Sequence, residues 1–516
     1  MCILHRAYLL AIGWSLIPLL SIAQSDSLII QVSTLGGVSS QSYLPQWLVA
    51  NRFGILDYDN DQVGLLRASA MSYFQLSERL RIEAGLDGVA RTSFSELDNT
   101  AFLQQGYLKI RYGAFELMAG QMERTVGTPD ESISSGSLAI SSNARPMPQI
   151  LLSIPEYAPV PFTKGYLEVK GTFAHGWFGE GRHISNAYLH EKSLYGRAGG
   201  KFPVNVYGGL AHFAIWGGET AGISIPDSFR DYLRVFMGGS AQLEEGNSLL
   251  PGEVSNAAGD HLGVYDLGIT ADTRLGKLAV YHQTLFEDAS GNNPFNGDRL
   301  LGMHVTPENN SSFYVELVYE FLYTKYQSGP TRPGGPNDPP GAKDKYGGEF
   351  RGRDNYYNNY LYRSGWTYQD RIIGTPLFYT KSRMKLYDPT FVDPDEGGFN
   401  FNIVNNRVVA HHFGITGNYK DYWKYKLLAT FSTNYGTYGG INGGINGWGS
   451  IENPDAPYAF RPPKNQQYFL TEIERETSSG FTFYVNIGID VGEIYQANGI
   501  LAGLRWEAHH LLSKKE

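Results

Sequence analysis

The sequence predicts an all-β protein, a transmembrane antiparallel β-barrel forming one domain, of a size in the middle to upper bacterial range. Three observations carry that expectation. Composition is the first: 61 Gly, 35 Tyr and 27 Phe, with 14% aromatic and only 18% charged residues, suit a barrel with aromatic girdles. The second is an export address at the N-terminus, with no later run of the roughly 18 apolar residues that a spanning helix needs. The third is a recurring alternation of apolar and polar residues, the period of two that gives a strand one wet face and one apolar face.

The address comes first in the chain. Arg6 supplies a basic start, Ala7 to Ile22 is almost wholly apolar, and Ser21-Ile22-Ala23 is a small-x-small cleavage site. Residues 1–23 therefore read as a secretory signal peptide, leaving 24–516 as a single outer-membrane β-barrel domain. A membrane anchor is the competing reading, but the apolar core is short and Gln24, Ser25 and Asp26 are polar. Cys2 is the only cysteine and lies in the removed segment, so the exported chain must be stable through backbone pairing and burial alone. A net charge of −9 argues against a nucleic-acid partner.

Ser27–Val32 could form a short strand. In Ser42–Phe53, Leu44, Trp47, Leu48 and Phe53 fall near helical spacing, so a short helix is expected there, on the periplasmic side or inside the lumen. From Val63 the strand rhythm begins. It is clearest in Arg79–Arg91, where Leu80, Ile82, Ala84, Leu86, Gly88 and Ala90 share one face and Arg79, Arg81, Glu83, Asp87 and Arg91 the other. In a barrel such a pattern turns its apolar face to lipid and its charges into the lumen. A soluble exported sandwich or propeller would show the same alternation, and the connections favour the barrel. Leu76–Arg79 and Tyr112–Ala114 are tight, whereas Ser93–Thr100 and Thr125–Asn143 are long and polar, as in an up-and-down barrel.

Further strands are expected at Phe102–Arg111, Ala114–Glu123, Gly259–Thr273, Lys277–Phe286, Leu300–Val305 and Ser312–Thr324. Gln467–Glu476, Gly480–Asp490 and Gly499–Glu507 complete the series. Thr324–Tyr360 and Thr433–Pro463 are rich in Pro, Gly, Asn and Asp and read as long loops.

Asn143–Glu219 organises the chain. Pro146, Pro148, Pro155, Pro159 and Pro161 keep its first part out of a central strand, because proline lacks the ladder N–H. From Lys164 the alternating pattern takes over. This stretch resembles the Wzi family of outer-membrane capsule-assembly proteins, in its Bacteroidetes-type form. The carrying residues are Ala144-Arg145-Pro146, Ile154-Pro155-Glu156-Tyr157 and Val160 to Gly165, with Phe162 and Lys164 among them. Ala174-His175-Gly176-Trp177-Phe178, Ala187 to Lys192 with His190 and Glu191, and His212 to Gly218 with Trp216 also match. A second region, Asp354 to Asn359 with Ser364-Gly365-Trp366 and Ile373 to Leu377, matches as well.

The resemblance implies a monomeric barrel of about 18 strands, closed by periplasmic helices and extracellular loops, that binds and organises capsular polysaccharide at the cell surface. Outer-membrane lipid and a polysaccharide export machinery would be its partners. The chain departs from the outer-membrane pattern at its end: Trp506 is followed by Glu507 to Glu516, where an aromatic terminus is usual.

Candidate chemistry narrows to ligand contact. His190-Glu191 is not an HExxH motif, since Leu194 stands where the second histidine belongs. His411 and His412 are adjacent, so on a strand they point to opposite faces. His175, His183 and His212 could converge in a lumen, but strand-borne histidines facing a polar lumen explain them more simply than a metal, and no metal or other cofactor is expected. Glu156, Glu168, Glu191 and Asp354 show no spacing that singles out a glycosidase pair, so no enzymatic activity is expected. The best ligand-binding candidates are Tyr356, Tyr357, Asn358, Asn359, Tyr360, Trp366 and Tyr368, whose rings could stack on sugar C–H faces while amides meet hydroxyls. Arg351, Arg353 and Arg363 would favour acidic sugars. The alternative is that these aromatics pack a loop plug or form the extracellular girdle. For function, the alternative is a saccharide or solute channel.

Overall fold

The computed structural model describes residues 27–511 apart from 94–97, 128–131, 240–257, 275, 288–292, 308–312, 329–353, 393–399, 421 and 438–457. Eighteen strands form one antiparallel sheet. The first nine are β1 (Ser27–Ser39), β2 (Gln62–Gln75), β3 (Leu80–Ser93), β4 (Asp98–Tyr112), β5 (Phe115–Gln121), β6 (Gln149–Pro159), β7 (Leu167–Gly179), β8 (Ala187–Ala198) and β9 (Val204–Trp216). The second nine are β10 (Asp260–Thr273), β11 (Gly276–Phe286), β12 (Arg299–Thr306), β13 (Phe313–Tyr323), β14 (Val408–Tyr419), β15 (Trp423–Asn434), β16 (Lys464–Glu476), β17 (Phe481–Gly492) and β18 (Ala497–Leu511). Each strand pairs with the next, and β18 returns to β1 from Ser27↔Leu511 to Ser39↔Gly499. Closure leaves no unpaired edge, the condition for strands to stand in lipid.

Strand parity sorts the wall. On β17, Phe483, Val485, Ile487, Ile489 and Val491 are exposed on the outside, while Thr482, Asn486 and Asp490 are buried inside. On β3, Leu86 faces out and Asp87 faces in, where Arg67 holds its carboxylate through Nε at 3.0 and 3.1 Å. Further inward ion pairs join Arg197 to Glu168 at 2.6 Å, Arg52 to Glu472 at 2.8 Å and Arg505 to Glu474 at 2.9 Å. The lumen is therefore cross-linked by charge at positions that water reaches poorly, where pairing offsets desolvation.

Both chain ends and the tight turns, such as 76–79 and 477–480, lie at one end of the barrel; 40–61, 122–148, 217–259 and 324–407 leave from the other. Tight turns face the periplasm in such barrels, so the long connections face outward. Three of them, 40–61, 122–148 and 324–407, fold back to fill the lumen. Residues 40–61 carry α1 (Gln46–Val49), residues 217–259 carry α2 (Phe229–Met237) and residues 324–407 carry α3 (Lys381–Tyr387). Trp47 and Leu48 of α1 are fully buried, as are Ile133, Leu138 and Ala139 of the 122–148 connection and Phe378 and Tyr379 of the 324–407 connection. The plug is tied to the wall as well. The main-chain N–H of Gln46 donates to Asp490 at 2.6 Å, the indole N–H of Trp47 to Thr430 at 3.1 Å, and Ser134 and Ser135 donate to Glu320 at 2.6–2.7 Å.

The structure differs from expectation at four places. The short helix expected in Ser42–Phe53 forms at Gln46–Val49, in the luminal one of its two expected places, but among the described residues no helix lies at the end that carries the chain termini, where the resemblance implied periplasmic helices. In Ser93–Thr100, Ser93 and Asp98–Thr100 belong to β3 and β4, and 94–97 lie outside the described residues. The first strand runs to Ser39, twice the expected reach. Pro155 and Pro159 do sit in a strand, β6. The β5 ladder ends at Ser153, and the pairing with β7 jumps from Ile154 to Ala158, so Pro155 sits where neither neighbour asks for its N–H.

Candidate functional site

A pocket of about 320 Å³ opens on the outward face of the plug, lined by His183, Arg363, Ser364, Asp370, Lys381, Asn400 and Asn402. Two connections build it: 180–186, which joins β7 to β8, and 324–407. The first is pinned by Arg182. Its guanidinium lies 4.2 Å over the ring of Phe178 and donates to the carbonyls of Thr367 and, at 2.9 Å, Gly365. Burial pushes the Arg182 pKa down to about 10, well above neutrality, so the charge remains. The backbone N–H of His183 then donates to Ser364 Oγ at 2.9 Å.

The opposite wall is braced in the same way. Asn402 donates from its backbone to the Arg363 carbonyl at 3.1 Å and from Nδ2 to the Ser364 carbonyl at 3.2 Å, while the Lys381 N–H donates to the Asn402 carbonyl at 2.7 Å. Lys381 Nζ donates to Asn400 Oδ1, and Ser382 Oγ donates to Asp370 at 2.6 Å. Asn400, Gln369 and Asp370 have φ of 53°, 50° and 57°. Asn and Asp tolerate this left-handed region; for Gln it costs about 1 kcal/mol.

Electrostatics give the pocket its character. Desolvation, helped by the Arg363 charge, holds the His183 imidazole below its ordinary value, so it is neutral near pH 7. Desolvation raises the Asp370 carboxyl, against the pull of Ser382 and Arg371. Among the described lining residues Arg363 and Lys381 stand with one carboxylate, and the amides of Asn400 and Asn402 supply donors and acceptors beside them. Such a recess suits a hydroxyl-rich, anionic ligand.

The predicted ligand residues divide. Arg363 lines the pocket. Tyr356, Tyr357, Asn358 and Trp366 are buried in the plug instead. Tyr356 donates to Asp298 at 2.8 Å, Tyr357 to the Leu138 carbonyl at 2.6 Å, Asn358 to the Ile403 carbonyl at 2.7 Å and Trp366 to the Ala139 carbonyl at 2.9 Å. With every ring face enclosed, these aromatics pack the plug, as the alternative reading had it. Asn359 caps the turn at Leu361 and Tyr362, and Tyr360 and Tyr368 are half-buried against the core. Arg351 and Arg353 lie outside the described residues. Asn400, Asn402 and Lys381 were missed by the sequence reading, their only hint a polar, non-alternating context; His183, expected on a strand facing the lumen, sits instead in the 180–186 connection on the pocket wall.

The residues of the family resemblance scatter over the barrel. Arg145 stacks 3.7 Å from the Phe102 ring and Pro146 is buried beside it. Pro155 and Glu156 are exposed on β6, with Glu156 3.1 Å from Arg111, and Tyr157 lies 4.3 Å from the Arg197 guanidinium. Glu191 is fully buried and paired with Arg124 at 3.0 Å, unlike the exposed Glu156. Phe162, Lys164 and Gly165, all at positive φ, form the β6–β7 turn at the periplasmic end. His175, Trp177, His190, Lys192, His212 and Trp216 correct the expectation of luminal histidines. They have the parity of Phe173 and Leu194 and stand on the outer wall. His411 and His412 do take opposite faces: His412 is buried between Thr430 and the Ile133 carbonyl, and His411 is exposed.

Fold and pocket together define a plugged outer-membrane β-barrel with a polar, cationic recess on its loop face. Residues 37–380 match the family model described as capsule assembly protein Wzi, and the chain belongs to that family. Among solved structures it is similar to Escherichia coli Wzi, described as an outer membrane protein involved in group 1 capsule assembly and a carbohydrate-binding β-barrel. The identity is 13% and the TM-score 0.54, over 94% of this chain and 85% of that one. Acinetobacter baumannii OccAB2 (8% identity, TM-score 0.45, 94% and 99% covered) and Pseudomonas aeruginosa OccK5 (8%, 0.44, 94% and 98%) also align. No match was found among curated proteins.

Proposed function

We propose that the protein, exported by a cleaved signal peptide at residues 1–23, binds an acidic surface polysaccharide and anchors it to the cell as a monomeric, non-catalytic lectin. The observation that carries this reading is the outward-facing pocket in which Arg363 and Lys381 stand among Asn400, Asn402 and Ser364. Membership of the capsule-assembly family and the description of its Escherichia coli relative as carbohydrate-binding support it. The filled lumen favours retention over passage of solutes. An export machinery would deliver the polymer, and neither cofactor nor metal has a part. Titration of the purified barrel with the capsular polysaccharide of its own strain, against a neutral glucan, tests the reading. Selective binding of the acidic polymer that weakens with salt supports it; equal or absent binding of both overturns it.

A further inference from the structure

Helix α2 lies outside the barrel. Its Val235 packs with Trp216 and Ala214, and its Tyr232 ring sits 5.4 Å from His190 and 5.5 Å from Trp216. Phe236 sits 5.4 Å from His190 and 6.2 Å from Phe173, an exposed residue of the outer wall. Lys192 Nζ donates to the Phe236 carbonyl, and the Tyr232 hydroxyl meets His190 Nδ1 at 3.2 Å. Strand register makes the covered patch continuous. His175, His190, Ala214 and His261 are paired in turn across β7 to β10, and Lys192 pairs with His212 in the next row.

This polar row occupies the loop-side part of the wall. Toward the periplasmic turns the same strands expose Leu194, Leu210, Val206, Val204 and Ile269 to lipid. Imidazoles and an ammonium at the bilayer midplane would be expensive, so the row marks the height at which hydrocarbon gives way to headgroups.

The outward face of α2 is apolar. Phe229, Leu233 and Met237, at i, i+4 and i+8, are 76%, 46% and 76% exposed, and together they form one stripe along the helix. Arg230, exposed in the first turn, adds a cation beside it. The helix ends are complete by themselves: Ser228 and Asp231 make a capping box, and Gly238 closes the C-terminus in the left-handed conformation. Its end groups are therefore bonded without a partner chain.

We propose that α2 is an interfacial helix seated in the outer leaflet, with Phe229, Leu233 and Met237 in contact with lipid acyl chains and Arg230 at headgroup height. The stripe continues the lipid-facing band of β7–β10, which is why lipid and not a second copy of the chain is its occupant. An amphipathic helix lying in the interface plane has this pattern of apolar stripe and flanking charge. The patch beneath supplies the seat, so the helix is held at a fixed depth on the wall.

The test uses the exported barrel in lipid nanodiscs, with single labelling sites at Phe229→Cys, Leu233→Cys and Met237→Cys, each carrying an environment-sensitive fluorophore. Val392→Cys, 80% exposed on the loop face, is the aqueous reference. Each helix label should lose most of its emission when acyl-brominated phospholipid replaces the plain lipid and should be little affected by iodide, whereas the Val392 label should show the reverse. Helix labels that behave like the Val392 label would overturn the proposal, and three sites keep the test decisive if one variant fails to insert.

Discussion

The indole N–H of Trp366 donates to the carbonyl of Ala139 at 2.9 Å across a separation of 227 residues. The bond joins two connections that leave the barrel between different strand pairs, and neighbouring bonds reinforce it. Ser141 N–H donates to the Ile373 carbonyl and Asn143 Nδ2 to the Ile372 carbonyl, both at 2.8 Å. The plug is one unit whose halves meet at Trp366. Trp366→Ala should cost about 3–5 kcal/mol through the lost ring and its cavity, and Trp366→Phe about 1–2 kcal/mol through the unpaired carbonyl. Hydrogen exchange should report both as faster exchange in 138–143 and 366–373, with the wall strands unchanged.

The pocket residues should act differently from the buried aromatics. Arg363→Ala and Lys381→Ala should each weaken binding of an acidic polysaccharide by about tenfold or more, the scale of one charge-assisted hydrogen bond. The difference from wild type should shrink as salt is raised. Tyr356→Phe, which removes a hydroxyl bonded to Asp298, should loosen the plug and leave the dissociation constant unchanged. Titration calorimetry on the three variants separates the two effects.

Asp298 makes plug stability depend on pH. Burial pushes its carboxyl up to about 6, although Tyr356 and the N–H groups of Tyr326 and Ser328 bond to it. A free carboxyl protonates near 3.9, so between those values the folded state binds the proton that the unfolded state has released. Stability is then greatest below about pH 4 and falls as pH rises to about 6, by up to roughly 3 kcal/mol. Asp298→Asn should abolish that slope in exchange rates measured at 354–358; an unchanged slope would assign it elsewhere.

A filled lumen should not conduct. In planar bilayers the wild-type barrel should show no steady large openings. Such openings at every insertion would contradict the packing of Trp47, Trp366 and Phe378 and favour a solute channel.

The wall was legible because lipid outside and polar groups inside impose a period of two, visible from Leu80 to Ala90 and from Phe481 to Ile489. The plug was not, because its residues answer to no period. Tyr356, Tyr357 and Trp366 carry the same types that stack on sugars, and only burial shows that they serve packing. The outer-wall histidines misled for a related reason. Parity places them beside Phe173 and Leu194, but nothing local tells which parity is outside where a helix covers the wall. Pro155 was read as a strand breaker without knowing that its neighbours' ladders stop there. Arg363 was reachable from sequence because its charge suits acidic sugars; Asn400 and Lys381 join it through a fold-back that no spacing announces.

The most direct measurement is polysaccharide retention in cells carrying the Arg363→Ala/Lys381→Ala double variant at wild-type barrel abundance, with cell-bound polymer compared with shed polymer. Polysaccharide should be produced in the same total amount and lost to the medium. Cell-bound polysaccharide equal to wild type would contradict it and remove this pocket as the anchor.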